Sequence, residues 1–245
     1  MDRAFHSSWV YLLLMGLLFS CNAVSPEPTP APPEIPTVET PAPMGQFLAL
    51  GDSYTIGQSV AEADRWPNQL DQRLRADSIE LEAVRFLATT GWTTSNLKSA
   101  IANTSDFDSL YSLVSLLIGV NNQYQRKPFS LYETEFPELL SQALAFTGQD
   151  SQRVFVVSIP DYAYTPFGQS SNPNQISVEL NRYNAFADSV CQSWGIAYFN
   201  ITPISRQGIA KPEYVASDGL HPSGEMYEAW VELMYEEVKA KMQEE

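Results

Sequence analysis

From residue 46 onward the apolar positions fall into short unbroken runs separated by longer stretches that read as helices. The runs 47–50, 83–88, 113–118, 154–159 and 196–199 are rich in Leu, Val, Ile, Phe and Ala. Such runs, with little alternation, are expected of strands buried on both faces. Helical stretches fall over 66–75, 95–103, 131–146 and 175–194, with a last one over 223–242. Strands alternating with helices predict a parallel sheet covered on both sides. With right-handed crossovers this becomes an α/β fold, a three-layer α/β/α sandwich on five strands. The chain shows no internal repeat.

Before residue 46 the pattern changes twice. Residues 9–19 (WVYLLLMGLLF) form an uncharged, mostly apolar run behind Arg3. The run is short for a bilayer span and reads as an export signal over residues 1–20. It ends in Leu18-Phe19-Ser20-Cys21, which resembles the bacterial lipobox. That resemblance implies a lipidated Cys21 and a lipoprotein anchored at the cell envelope. An ordinary signal peptide with an incidental Cys is the alternative. Residues 21–45 carry Pro26, Pro28, Pro30, Pro32, Pro33, Pro36, Pro41 and Pro43. A segment of this kind has little to bury and favours extended polyproline II, so it reads as a linker to a domain over 46–245.

Composition narrows the functions. A chain that is 44% hydrophobic and 18% charged is globular. Its net charge of −15 argues against nucleic acid as a partner, which would need a basic footprint. The same charge would be repelled by an anionic membrane, so any attachment must come from something other than surface charge, such as the lipid implied at Cys21. Only two Cys (Cys21, Cys191) and two His (His6, His221) are present, too few for a structural zinc module. No Walker or dinucleotide loop occurs, and no metal or other cofactor is expected. Cys191, in a helical stretch, reads as a buried small hydrophobe.

The candidate chemistry sits where strands end. The first strand runs into Gly51-Asp52-Ser53-Tyr54. In an open parallel sheet, ligand sites lie at the carboxyl ends of strands. By itself Ser53 reads more readily as a helix N-cap than as a nucleophile. The pattern is not the G-x-S-x-G elbow, since Thr55 stands where Gly is wanted. Just before the final helix comes Asp218-Gly219-Leu220-His221-Pro222. A Ser hydroxyl needs an adjacent base, a His serves near neutral pH, and a carboxylate must fix its tautomer. Asp218 can reach back to His221 across one compact turn. The other reading is a solvated loop histidine. Gly91 after the second strand and Asn121 after the third can offer donors to an oxyanion, or simply make turns.

Taken together, Ser53, Gly91, Asn121 and the Asp218–His221 pair occur in the order of the SGNH, or GDSL, hydrolases, and the chain from about residue 46 to 242 resembles that family. The resemblance implies a flavodoxin-like sheet of order 2-1-3-4-5 and a serine esterase working through an acyl-enzyme. It implies Ser53 as nucleophile and His221, oriented by Asp218, as base. Gly91 and Asn121, with the Ser53 N–H, would form the oxyanion hole. Two positions depart from the pattern: Tyr54 follows Ser in place of Leu, and Asn122 stands where Asp is usual. The aromatics Trp66, Trp92, Tyr124, Tyr162, Tyr164 and Phe167 crowd the strand ends. Trp92, Asn122, Tyr124 and Tyr162 are expected to line the substrate site, with Trp66 more a core residue. Residue types leave open a glycan acetyl ester, a lysophospholipid or a small ester. A surface lipoprotein that holds a glycan in the same cleft without turnover is the competing reading. Oligomeric state is not legible.

Overall fold

The structure, a computed structural model, describes residues 45–105, 107 and 110–243. The expected export signal, Cys21 and the Pro-rich stretch up to Met44 lie outside the described residues.

Five strands form one sheet: β1 (Phe47–Gly51), β2 (Arg85–Ala88), β3 (Leu113–Leu117), β4 (Val154–Val157) and β5 (Ala197–Phe199). Every pairing is parallel and the order is β2-β1-β3-β4-β5, as expected. Strands β1, β3 and β4 are buried at every position, which explains their near-continuous apolar sequence. The predicted second strand begins two residues early. Val84 and its predecessors run alongside the sheet but do not enter the ladder, apart from Glu82 N–H bonding Gly45 O at 2.9 Å.

Helices in chain order are α1 (Ser53–Ile56), α2 (Trp66–Ala76), α3 (Thr94–Asn103), α4 (Val120–Tyr124), α5 (Phe129–Phe146), α6 (Pro166–Gln169), α7 (Pro173–Trp194), α8 (Thr202–Ser205) and α9 (Gly224–Gln243). Helices α3, α5 and α7 pack together on one face of the sheet; α2 and α9 pack together on the other. Local chemistry sets their ends. Thr93 and Asn96 form a reciprocal capping box at the start of α3. Asn172 caps α7, Pro173 opens it, and Gly195 ends it in the left-handed conformation.

On the α2 side of the sheet three large rings form one cluster. Phe47 packs against Trp66 of α2 and Phe155 of β4, with ring centroids 6.3 and 6.1 Å apart, and all three rings are fully buried. Burying such side chains contributes roughly 1.5–3 kcal/mol each. Cys191 of α7 is also fully buried.

Gly51, the last residue of β1, is held by crowding. A Cβ there would lie 2.1 Å from Thr55 Oγ1 and 2.5 Å from the Leu117 carbonyl. The carbonyl belongs to β3 and cannot step aside. Gly51→Ala is therefore expected to destabilise by about 1–3 kcal/mol, seen as a lower urea midpoint at unchanged m-value. An unshifted midpoint would show that β1 and β3 can separate at that end.

Candidate active site

Three crossings deliver their residues to the carboxyl edge of the sheet. β1 ends at Gly51, and α1 starts at once with Ser53. The capping residue is Asp52, not Ser53: its Oδ1 accepts the Tyr54 N–H at 3.0 Å. That leaves the Ser53 hydroxyl free of capping duty. Ser53 is 4% exposed and borders a cleft of about 290 Å³. Gly91, Asn121 and His221 border the same cleft.

The His221 loop is closed on itself. Ala216 N–H donates to His221 O at 2.8 Å, and Val215 bridges Pro222 in antiparallel fashion. Within it Asp218 Oδ1 accepts the backbone N–H groups of Leu220 and His221, each at 2.9 Å. Its Oδ2 meets His221 Nδ1 at 2.6 Å and accepts the Ser59 hydroxyl at 2.6 Å. Burial pushes this carboxyl up. The hydrogen bonds from Ser59, from the His221 ring and from the two N–H groups outweigh it and hold the group well below the usual carboxylate range. An ionised Asp218 requires the Nδ1 of neutral His221 to carry the proton, which leaves Nε2 with its lone pair. The Tyr54 ring lies 5.2 Å from the imidazole, centroid to centroid, and supports it from below the cleft.

The opposite wall is a pair of tied loops. Gly91 has φ +83°, with open space where a Cβ would stand, so the left-handed backbone rather than crowding selects glycine. Among the described residues its N–H makes no hydrogen bond. Gln125 Nε2 donates to Gly91 O at 2.9 Å, and Asn121 Nδ2 donates to Trp92 O at 3.0 Å. One amide hydrogen of Asn121 is thus spent on orientation, and the amide also lies close enough to the Asp52 carboxyl to act on it.

Two residues expected on the substrate wall stand elsewhere. Asn122 is fully buried: its Oδ1 accepts the Thr94 N–H at 2.9 Å and its Nδ2 donates to the Thr94 hydroxyl at 2.6 Å. Thr94 in turn donates to Glu135 of α5, so this side chain clamps α3, α4 and α5 beneath the cleft. An amide can both accept and donate here, which an ionised Asp cannot, and this accounts for Asn at the position. Trp92 packs half-buried against the core and reaches the site only through its carbonyl. Tyr124 and Tyr162 do line the cleft, and Phe167 joins them, with centroids 6.1–6.4 Å apart. Ser59 was not foreseen. An exposed Ser three residues beyond a short helix carries no periodicity or motif to mark it.

A family model described as the GDSL-like Lipase/Acylhydrolase family matches residues 49–229. The chain belongs to that family. It is an ester hydrolase of the SGNH type. No curated protein sequence matches the chain. Among solved structures, the hydrolase is similar to TesA at 15% identity and TM-score 0.61, covering 80% of this chain and 99% of that one. A lipase/acylhydrolase from Enterococcus faecalis aligns at 20% identity and TM-score 0.61 over 81% and 97% of the two chains. Axe2, an acetylxylan esterase from Geobacillus stearothermophilus, aligns at 14% identity and TM-score 0.57 over 83% and 96%. At these identities the likeness is one of fold.

Asp52 is the unusual acid of the hydrolase. It is wholly buried, and its Oδ2 makes no hydrogen bond. Burial pushes its pKa up to about 7, against the pull of the Tyr54 N–H and the nearby Asn121 amide. A carboxyl raised in the folded state binds more protons folded than unfolded. Its contribution to stability is full at acid pH and is lost as pH rises from the ordinary carboxylate value toward about 7. Asp218 acts in the opposite sense at low pH and cancels between two proteins that share it. Asp52→Asn, which keeps an oxygen for the Tyr54 N–H, should therefore gain on the wild type in urea unfolding as pH climbs from 4 to 7. Parallel stability curves would mean that Asp52 is ionised throughout.

Proposed function

We propose that the hydrolase cleaves short-chain carboxylic esters, among them acetyl groups on sugars, through a covalent acyl-enzyme on Ser53. The observation that carries this reading is the 2.6 Å contact between His221 Nδ1 and Asp218, at a cleft that Ser53 also borders. It supplies a base with a fixed tautomer beside an uncommitted hydroxyl.

Ser53 Oγ attacks the ester carbonyl carbon as its proton passes to His221 Nε2. The oxyanion forms against the N–H groups of Ser53 and Gly91 and the Asn121 amide. Collapse breaks the bond to the alcohol oxygen, which takes the proton from His221. Water then attacks the acyl carbon, giving its proton to His221. The carboxylic acid departs as Ser53 Oγ recovers that proton. Asp218 stays ionised and stabilises the transient imidazolium.

Cleft size supports a short acyl group: about 290 Å³ is at the small end of ligand sites. The rings of Tyr124, Tyr162 and Phe167 offer flat apolar faces of the kind that pack on a sugar. If the apolar run before Cys21 exports and anchors the chain, these substrates lie outside the cell.

A fluorophosphonate probe should label wild-type protein on Ser53 and leave Ser53→Ala unlabelled. On p-nitrophenyl esters, kcat/KM should fall with acyl length beyond a few carbons. Ser53→Ala and His221→Ala should each lower it by on the order of 10⁴-fold or more, and Asn121→Ala by ~10²–10³-fold. Near-normal turnover by His221→Ala would remove the acyl-enzyme scheme, and glycan binding with an unreactive Ser53 would replace it with a binding role.

A further inference from the structure

Beyond Tyr124 and Tyr162, which border both spaces, the small cleft adjoins a larger cavity of about 600 Å³. Its walls carry Arg126, Lys127 and Arg182 against a single acid, Glu179. Three cations minus one carboxylate leaves a local excess of two positive charges on a chain whose net charge is −15. Glu179 is already engaged, accepting from the amides of Gln123 and Gln175.

The three cations are unlike most others in the molecule. Arg73, Arg75, Lys98, Arg153, Arg206, Lys239 and Lys241 each meet a carboxylate. Among the described residues Arg126, Lys127 and Arg182 meet none. The Arg182 guanidinium carbon instead lies 3.7 Å from the Phe129 ring centroid, which holds the fork in place without neutralising it.

Arg126 is also placed at a conformational cost. Helix α4 ends in a Schellman turn: Arg126 N–H bonds Gln123 O at 2.9 Å, and Lys127 N–H bonds Asn122 O at 2.8 Å. The residue between, normally Gly, must take the left-handed conformation, and Arg126 does so at φ +55°. Strain at a non-Gly residue on the rim of a cavity points to a function for the side chain.

We propose that this cavity binds the alcohol half of the substrate and that this half is an acidic sugar, with a carboxylate held by Arg126, Lys127 and Arg182. The proposal rests on the esterase reading of the adjoining cleft and adds the substrate class to it. The acyl group occupies the small apolar cleft, the sugar ring lies against the exposed Tyr124, and its carboxylate meets the planar guanidinium forks. Screening over ~8 Å at physiological salt lets these local charges outweigh the distant acidic surface.

The test compares kcat/KM for matched ester pairs on the full hydrolase. One pair is an acetylated neutral hexoside and the corresponding uronate. The other is a 1-acylglycerol and its 3-phosphate. The wild type should favour the uronate roughly ten-fold or more, the scale of one charged contact. Arg126→Gly should reduce the uronate-to-neutral ratio by about ten-fold, and Arg182→Gln should move it the same way. Because glycine suits the turn, Arg126→Gly should match or exceed the wild-type urea midpoint, which a purely structural role for Arg126 would not produce. A ratio near one in the wild type, or a ratio unmoved by both variants, overturns the proposal. A preference confined to the phosphate pair also overturns it and gives the cavity to a lysolipid headgroup. Probe labelling of Ser53 and turnover of p-nitrophenyl acetate, run alongside, report separately on the esterase reading.

Discussion

The site hangs on the carboxylate of Asp218. One of its oxygens takes the two N–H groups that shape the loop before α9; the other takes the His221 ring and the Ser59 hydroxyl. Ser59 lies just past α1, so one side chain ties the first turn after β1 to the last loop of the domain. Without those four donors, burial would push the carboxyl toward protonation, and a neutral acid would neither hold the imidazole tautomer nor offset its charge. The loop's shape and the electrostatics of the His221 imidazole are therefore set by the same group.

The second wall obeys a similar economy of side chains. Asn121 and Gln125, on and just after α4, hold the carbonyls of Trp92 and Gly91, while Asn122 reaches the other way to Thr94. A five-residue helix thus fixes the loop after β2, its own position, and the helices beneath. All of this is possible because β1 lies between β2 and β3, so three loops leave the sheet side by side.

Much of this was legible in the sequence, for physical reasons. Long helices and fully buried strands announce themselves by period and by apolar runs, and all five strands and five long helices lie where the pattern puts them. Asp218 and His221 are three residues apart, so their contact is a local matter. The short helices α1, α4, α6 and α8 were not legible, since four or five residues carry no measurable period. Asn122 misled because Asn121 beside it faces the cleft while one step round the helix faces the core. Ser59, and the meeting of Arg126 with Arg182, depend on tertiary approach between distant segments, which no local pattern records.

Cys191 lies sealed within α7, and burial pushes its thiol up to about 12. Since only the thiolate reacts, the native fold offers a modifying reagent almost nothing at neutral pH. The sulfur is therefore a clock already wound into the molecule: the pace at which it is alkylated counts how often the longest helix lifts from its bed.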